Sequence, residues 1–285
     1  MKRRDVLWGA AGLVACPNGA LADPIAAISE YERASGGRIG LYAENVGTGS
    51  RLLWRADERF VMCSTFKASL AACVLSRVDQ GQDVLEAIIP FSSADLPDWH
   101  APVARQNLAR GALSVREMCQ ASVEESDNTC ASLLLSRIGG PPALTAYWRS
   151  IGDHVSRLDD PEPKLNWTPP GDERNTTTPA AMARTLRRLV LGTVLSPASR
   201  ALLKGWMVDC KTGGNRLRAG LPGHWIVGDK TGNNGKDAAG DIAVIWPRPE
   251  TPIVVCVYTR GGSPSPEQIE TVFASIGRVI ARRLV

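Results

Sequence analysis

The chain has 285 residues, 44% of them apolar and 22% charged, with a formal charge of +4. That composition belongs to a soluble globular chain, long enough for one large domain or two intimate subdomains. The charge is too small and dispersed for a nucleic-acid binder, and no apolar run reaches the roughly 18 residues of a membrane span.

Residues 1–22 read as an export signal. Lys2, Arg3 and Arg4 give the basic start and Val6 to Ala15 the apolar stretch. Ala20-Leu21-Ala22 is a small-residue cleavage site, so the mature chain is expected to begin at Asp23. Arg3-Arg4 followed by Val6-Leu7 resembles a twin-arginine signal, which implies a periplasmic protein. Leu13-Val14-Ala15-Cys16 also fits a lipoprotein box, the alternative being an acylated Cys16 and a membrane tether. Loss of the signal removes three basic residues and one acidic residue and takes the charge from +4 to +2.

The rest of the chain alternates clear start and stop signals. Ile25–Ser35 reads as a helix ending at Gly36-Gly37, Arg38–Ala43 and Arg51–Arg55 as a hairpin around Gly47–Ser50. A long helical region begins near Thr65, with Gly81 as the first stop. Within it Ser114 and Glu117 form a capping box, and Thr129–Ile138 runs into Gly139-Gly140. Pro179 after Thr178 and Pro197 after Ser196 each open a helix. Leu158–Thr178 shows no period and reads as a long loop. Strands return at Trp225–Lys230, Asp241–Trp246 and Pro252–Thr259, and a helix over Ile269–Leu284 closes the chain. The expected fold is mixed α/β plus all-α. An antiparallel five-stranded sheet is built from both termini (23–57 and 211–285) and covered by helices. A helical subdomain (58–210) is inserted and carries the 158–178 loop. The default site is the cleft between the two.

Ser64-Thr65-Phe66-Lys67 opens the helical region. Residues three apart share a helix face, so Ser64 and Lys67 meet. The run from Ala68 to Val78 is apolar nearly all round, which buries that helix. Ser64 then stands at a helix N-terminus, where free N–H groups favour a developing anion. Lys67 lies one turn in, where a buried amine can lose its charge and take the serine proton.

Three further polar stretches have plain structural readings when taken singly. Ser126-Asp127-Asn128 makes a helix N-cap, Lys230-Thr231-Gly232 a hairpin end, and Glu162 to Asn166 a solvated loop. Taken together, S-x-x-K, S-D-N and K-T-G in this order resemble the serine β-lactamases and penicillin-binding proteins. Val115–Cys119, Arg157–Asp159, Asp172–Arg174 and Thr178–Ala181 extend the likeness to class A β-lactamases, from about Ile25 to Val285.

The resemblance implies hydrolysis of the β-lactam ring through a Ser64 acyl-enzyme. It implies backbone N–H groups of Ser64 and Asn233 as the oxyanion donors, and two candidates, Lys67 and Glu162, for the base that deprotonates Ser64. Ser126, steered by Lys230, would pass a proton to the leaving nitrogen. Lys230, Thr231 and Arg216 would hold the substrate carboxylate, Asn128 its side-chain amide, Gly232 and Asn233 would also touch substrate, and Trp99 would wall the cleft. Glu162 with Asn166 would hold the deacylating water, which separates a hydrolase from a D,D-peptidase or sensor that stays acylated. No metal, organic cofactor or nucleic acid is implied; the partner is a small-molecule β-lactam and the expected state a monomer.

Three departures stand out. Cys119 matches half of a family disulfide, but the partner position holds Ala71, and Cys73 should face elsewhere. Cys63 resembles carbapenem-hydrolysing members, whose partner position here holds Asn234. All six cysteines beyond the signal (Cys63, Cys73, Cys119, Cys130, Cys210, Cys256) are therefore expected to be free. None sits at metal-ligand spacing from His100, His154 or His224. The arginine–aspartate pair at the loop neck appears as Asp160 and Asn175, so Asp160 is expected to find Asn175 or Arg157, or to reach water, and the neck to be held less strongly.

Overall fold

A computed structural model describes residues 24–96 and 99–285. The signal and the Cys16 tether lie outside the described residues. In chain order the elements are α1 (Pro24–Ser35), β1 (Arg38–Asn45), β2 (Arg51–Trp54), β3 (Phe60–Val61), α2 (Phe66–Asp79) and β4 (Ile88–Pro90). Next come α3 (Pro102–Gln106), β5 (Ala112–Ser114), α4 (Val115–Glu124), α5 (Asn128–Ile138), α6 (Pro141–Ser150) and β6 (Thr176–Thr177). The chain ends with α7 (Pro179–Val190), α8 (Pro197–Val208), β7 (Ile226–Asn233), β8 (Ala239–Trp246), β9 (Ile253–Arg260) and α9 (Pro266–Arg283).

Period-two patterning builds a five-stranded sheet of order β2-β1-β9-β8-β7, antiparallel throughout. Along β8 and β9 alternate residues serve two different cores. Ile242, Val244, Val254 and Cys256 pack towards the helical lobe around α2. Ala243, Ile245, Val255 and Val257 pack towards α1 and α9. Each fully buried aliphatic side chain of this kind contributes roughly 1.5–3 kcal/mol, and a one-residue slip would exchange the two sets. Helices α4, α7 and α8 start where their caps predict, whereas α9 starts at Pro266, three residues before the expected Ile269. The Ser114–Glu117 capping box is formed, and Thr178, Ser196 and Ser265 cap α7, α8 and α9. No helix among the described residues is long and apolar enough to cross a membrane.

Three features were not expected. β3 pairs with β6 through Phe60↔Thr177 and Val61↔Thr176, which pins the C-terminal arm of the long loop. β4 pairs with β5 inside the helical lobe. Helix α6 fills a stretch to which no element was assigned, although Gly140 and Pro141 supply its boundary and Leu144 and Trp148 its buried face. Strands of two or three residues are too short to show a period, which explains the first two. β7 runs over Ile226–Asn233, three residues beyond its expected end at Lys230.

The neck of the long loop is held by more than the single amide expected. Asn175 Nδ2 donates to Asp160 at 3.0 Å, and Lys164 pairs with the same carboxylate at 2.7 Å. Asn175 Oδ1 accepts the backbone N–H groups of Asp159 and Asp160 at 2.9 and 3.0 Å. Arg157 turns instead to Asp159, at 2.6 Å. Lys164 and then Asn175 hold the Asp160 carboxyl below the usual range. Asn175 adopts a left-handed backbone (φ 58°), which asparagine tolerates better than most residues. The six cysteines are free and buried, as expected.

Two measurements check these points. Asn175→Ala, which leaves two backbone N–H groups without their acceptor, should cost roughly 2–4 kcal/mol in urea unfolding. Thiol titration of the denatured, unreduced chain from Asp23 onward should count all six cysteines free.

Candidate active site

The nucleophile candidate sits where the lobe meets the sheet edge. A 3-10 turn over Cys63–Thr65 leads straight into α2, so Ser64 stands at the entrance of a helix whose first three turns are buried. Strand β7 passes so close that a Cβ on Gly232 would lie 2.8 Å from Ser64 N and 2.9 Å from Met62 O. Only glycine fits there, because any side chain would push the strand off the serine.

Lys67 is fully buried. Its Nζ donates to Ser126 O at 2.8 Å and, over a short distance, to Asn128 Oδ1, and it lies 3.8 Å from Glu162 Oε1. Burial pushes this amine down, with the Glu162 charge opposing. Lys230, equally buried, donates to Ser126 Oγ at 3.0 Å and to Thr231 O at 2.7 Å. Burial lowers it to about 7, and the positive charges of Lys67 and Arg216 act in the same direction.

Ser126 bridges the two amines from a left-handed conformation (φ 58°) between α4 and α5. The turn is held by Asp127. One carboxylate oxygen caps Cys130 N at 2.9 Å, and the other accepts Val103 N and Ala104 N at 2.9 and 3.0 Å. Strain at a non-glycine position persists only where the surroundings impose it, as they do here.

The long loop brings in Glu162 and Asn166. Asn166 Nδ2 donates to Glu162 Oε2 at 2.7 Å, from a short 3-10 turn over Lys164–Asn166. Glu162 Oε1 and Asn166 Oδ1, both buried, have no hydrogen-bond partner.

A cleft of about 230 Å³ is lined by Ser64, Ser126, Asn128, Thr231, Gly232 and Asn233, with Arg216 and Trp99. Arg216 Nη1 donates to Gly232 O and Gly240 O at 3.0 and 2.6 Å, so the guanidinium braces the sheet edge as well as facing the cleft. The cleft thus collects the predicted polar residues of the lobe and the sheet, while Glu162 and Asn166 reach it from the side through Lys67. Two lining residues were missed. Thr212 bonds Thr231 Oγ1 at 2.5 Å, and His100 bonds Glu125 O at 2.7 Å. Thr212 belongs to a second K-T-G tripeptide, Lys211-Thr212-Gly213, that was passed over, and His100 to no motif; the tertiary fold brings both here.

A helical lobe docked on an antiparallel sheet, with its polar cleft at the seam, is the architecture of the serine β-lactamases. The sequence family described as the β-lactamase enzyme family matches residues 20–284. β-Lactamase L2 of Stenotrophomonas maltophilia is 51% identical over 255 residues, covering 89% of this chain and 83% of that protein. A β-lactamase of Mycobacterium tuberculosis is 45% identical, covering 93% and 86%. The crystal structure of a β-lactamase from Xanthomonas campestris superposes with a TM-score of 0.88 at 45% identity, covering 92% of this chain and 97% of that one. The class A β-lactamase of the last common ancestor of Gram-negative bacteria gives 0.85 at 51% identity, covering 90% and 97%. The chain belongs to the β-lactamase enzyme family and is a hydrolase of the class A type.

The lowered Lys230 makes a prediction for pH dependence. In the free enzyme its positive charge is lost as pH rises through about 7, so an anionic substrate then meets a neutral amine. kcat/KM for a penicillin should fall on that alkaline limb. Lys230→Arg, whose guanidinium keeps its charge, should move the limb upward by more than about one pH unit in steady-state profiles.

Proposed function

We propose that the chain hydrolyses β-lactam antibiotics by acylation of Ser64 and deacylation through a water activated by Glu162. Ser64 Oγ attacks the lactam carbonyl, and its proton passes to Lys67. A neutral amine has two N–H donors and one lone pair. The donors are engaged by Ser126 O and Asn128 Oδ1, which leaves the lone pair for the serine proton. Glu162, acting through a water, is the second candidate for this step.

The oxyanion forms against the backbone N–H groups of Ser64 and Asn233; one such donor is worth roughly 3–4 kcal/mol. As the C–N bond breaks, Ser126 gives its proton to the lactam nitrogen and is resupplied by an amine, Lys230 standing 3.0 Å away. Thr231, Arg216 and Lys230 offer the substrate carboxylate a cationic edge, Asn128 takes its side-chain amide, and Trp99 stacks at the mouth.

The observation that carries the deacylation step is the pair of orphaned acceptors, Glu162 Oε1 and Asn166 Oδ1. Both accept only, both are buried, and they belong to side chains already bonded to each other at 2.7 Å. A water donating to both would satisfy them and give Glu162 a proton to take. A penicillin-binding protein needs no such pair. The export signal, a soluble or Cys16-tethered periplasmic product, a monomeric state and the division into lobes 23–57/211–285 and 58–210 complete the proposal.

Glu162→Gln removes the base and keeps the volume. A penicillin acyl-enzyme should then accumulate in mass spectrometry while turnover falls by roughly 10²–10⁴. Parent turnover without accumulation would overturn the deacylation step. Ser64→Ala should lose turnover and bind no penicillin covalently; a mass shift of one penicillin in that variant would place the nucleophile elsewhere.

A further inference from the structure

A second cavity, of about 480 Å³, lies on the other side of the long loop. It is enclosed by that loop, by the turn after β7 and by the ends of β1 and β9. Ser64, Ser126 and Lys230 take no part in its wall. Its volume is that of a site for a small organic molecule.

Its chemistry is one-sided. Arg38, Arg59, Lys236 and Arg260 line it, against two carboxylates, Asp172 and Asp237. Both carboxylates are already engaged. Asp172 pairs with Arg174 at 2.6 Å, while Asp237 accepts Gly261 N at 2.8 Å and Asn234 Nδ2 at 3.1 Å. The arginines hold partners from outside the wall: Arg38 pairs with Glu58 at 2.6 Å, Arg260 lies 3.9 Å from the same carboxylate, and Arg59 lies 3.3 Å from Glu173. The Arg38–Glu58 pair is a bidentate fork and Arg59 also donates to Val155 O and Thr176 Oγ1, so these arginines frame the wall. The long Arg260–Glu58 contact is of the weak, exchangeable kind. Lys236 has no ion pair among the described residues. Beside these cations the loop offers Trp167, 55% exposed, with Pro169 and Pro170. An exposed indole next to unmatched positive charge suits a flat ring bearing an acid group.

The cavity shares two residues with the catalytic machinery. Asn166 forms part of its wall and also bonds Glu162. Asn234 forms part of its wall, follows Asn233 in the chain and has its Nδ2 3.5 Å from Asn166 O. We infer that this cavity binds a small aromatic carboxylate or sulfonate and that its occupancy alters hydrolysis through Asn166. The ligand touches the loop's far face, so it changes deacylation without entering the cleft.

The test uses 1-naphthalenesulfonate and the mature chain. Equilibrium dialysis should find one saturable site per chain, undiminished by penicillin bound as the acyl-enzyme of Glu162→Gln. Saturating probe should change kcat for penicillin with a non-competitive pattern. Lys236→Glu and Trp167→Ser should each weaken binding by at least about tenfold, while Lys236→Arg retains it and all three hydrolyse penicillin at the parent rate without probe. Absence of saturation up to about 10 mM would overturn the inference. So would competition with penicillin, or full binding in both Lys236→Glu and Trp167→Ser. The acyl-enzyme and kinetic arms rest on the proposed function; dialysis with the resting parent enzyme reads binding alone, so its failure is distinguishable from a failure of that reading.

Discussion

Two lysine amines buried at one seam are the constraint on which this molecule depends. Removing an ammonium group from water is costly unless it is paired and hydrogen-bonded or loses its charge. Each amine is therefore surrounded by oxygen acceptors from different parts of the chain. Lys67 draws on Ser126 O, Asn128 Oδ1 and Glu162; Lys230 draws on Ser126 Oγ and Thr231 O. No single element could satisfy either group. The lobe, the loop and the sheet edge must dock in register, and the arrangement that makes burial tolerable also lines up a hydroxyl between two amines.

The floor beneath Lys230 follows the same logic. Asp229 and Asp241 are fully buried on β7 and β8, and each keeps one oxygen without a partner. Arg218 reaches Asp229 at 2.7 Å, and Leu217 N reaches Asp241 at 3.2 Å. Burial raises both carboxyls, and Asp229's charge raises Asp241 further. The Asp229 charge opposes the lowering of the Lys230 amine, while Arg218 pairs with that carboxylate. Even the space is fitted to this: a Cβ on Gly213 would lie 1.7 Å from Asp229 Oδ2.

Much of this was legible in the chain. Caps, prolines and glycines mark most helix ends, and alternation marks the long strands, because those signals are local. Ser64–Lys67, Ser126–Asn128 and Lys230–Gly232 could be grouped because their order is a family pattern. What escaped is tertiary. The β3–β6 pairing lasts two residues. His100 lines the cleft without a motif, and Thr212 does so from a second K-T-G, Lys211-Thr212-Gly213, whose place beside Thr231 only the fold reveals. At the loop neck the two residues were identified but not their bonding, since Lys164 and the two backbone donors on Asn175 Oδ1 follow from loop shape alone.

The order of the strands has a temporal consequence. β1 is made early in synthesis, yet its partner β9 lies near the other end of the chain, with Arg38 paired to Arg260 and Asn45 to Ile253. Until β9 emerges, β1 has only the four-residue β2 beside it, an isolated hairpin of marginal stability. Closing so long a loop delays the sheet, as in any topology dominated by distant contacts. The helical lobe waits too, since α2 packs on the distant α8 and against side chains of β8 and β9. A nascent chain therefore carries Ser64 and Lys67 on a lobe whose docking edge has not yet been made. The candidate cleft, walled by Thr231, Gly232 and Asn233, is complete only once β7 is in place.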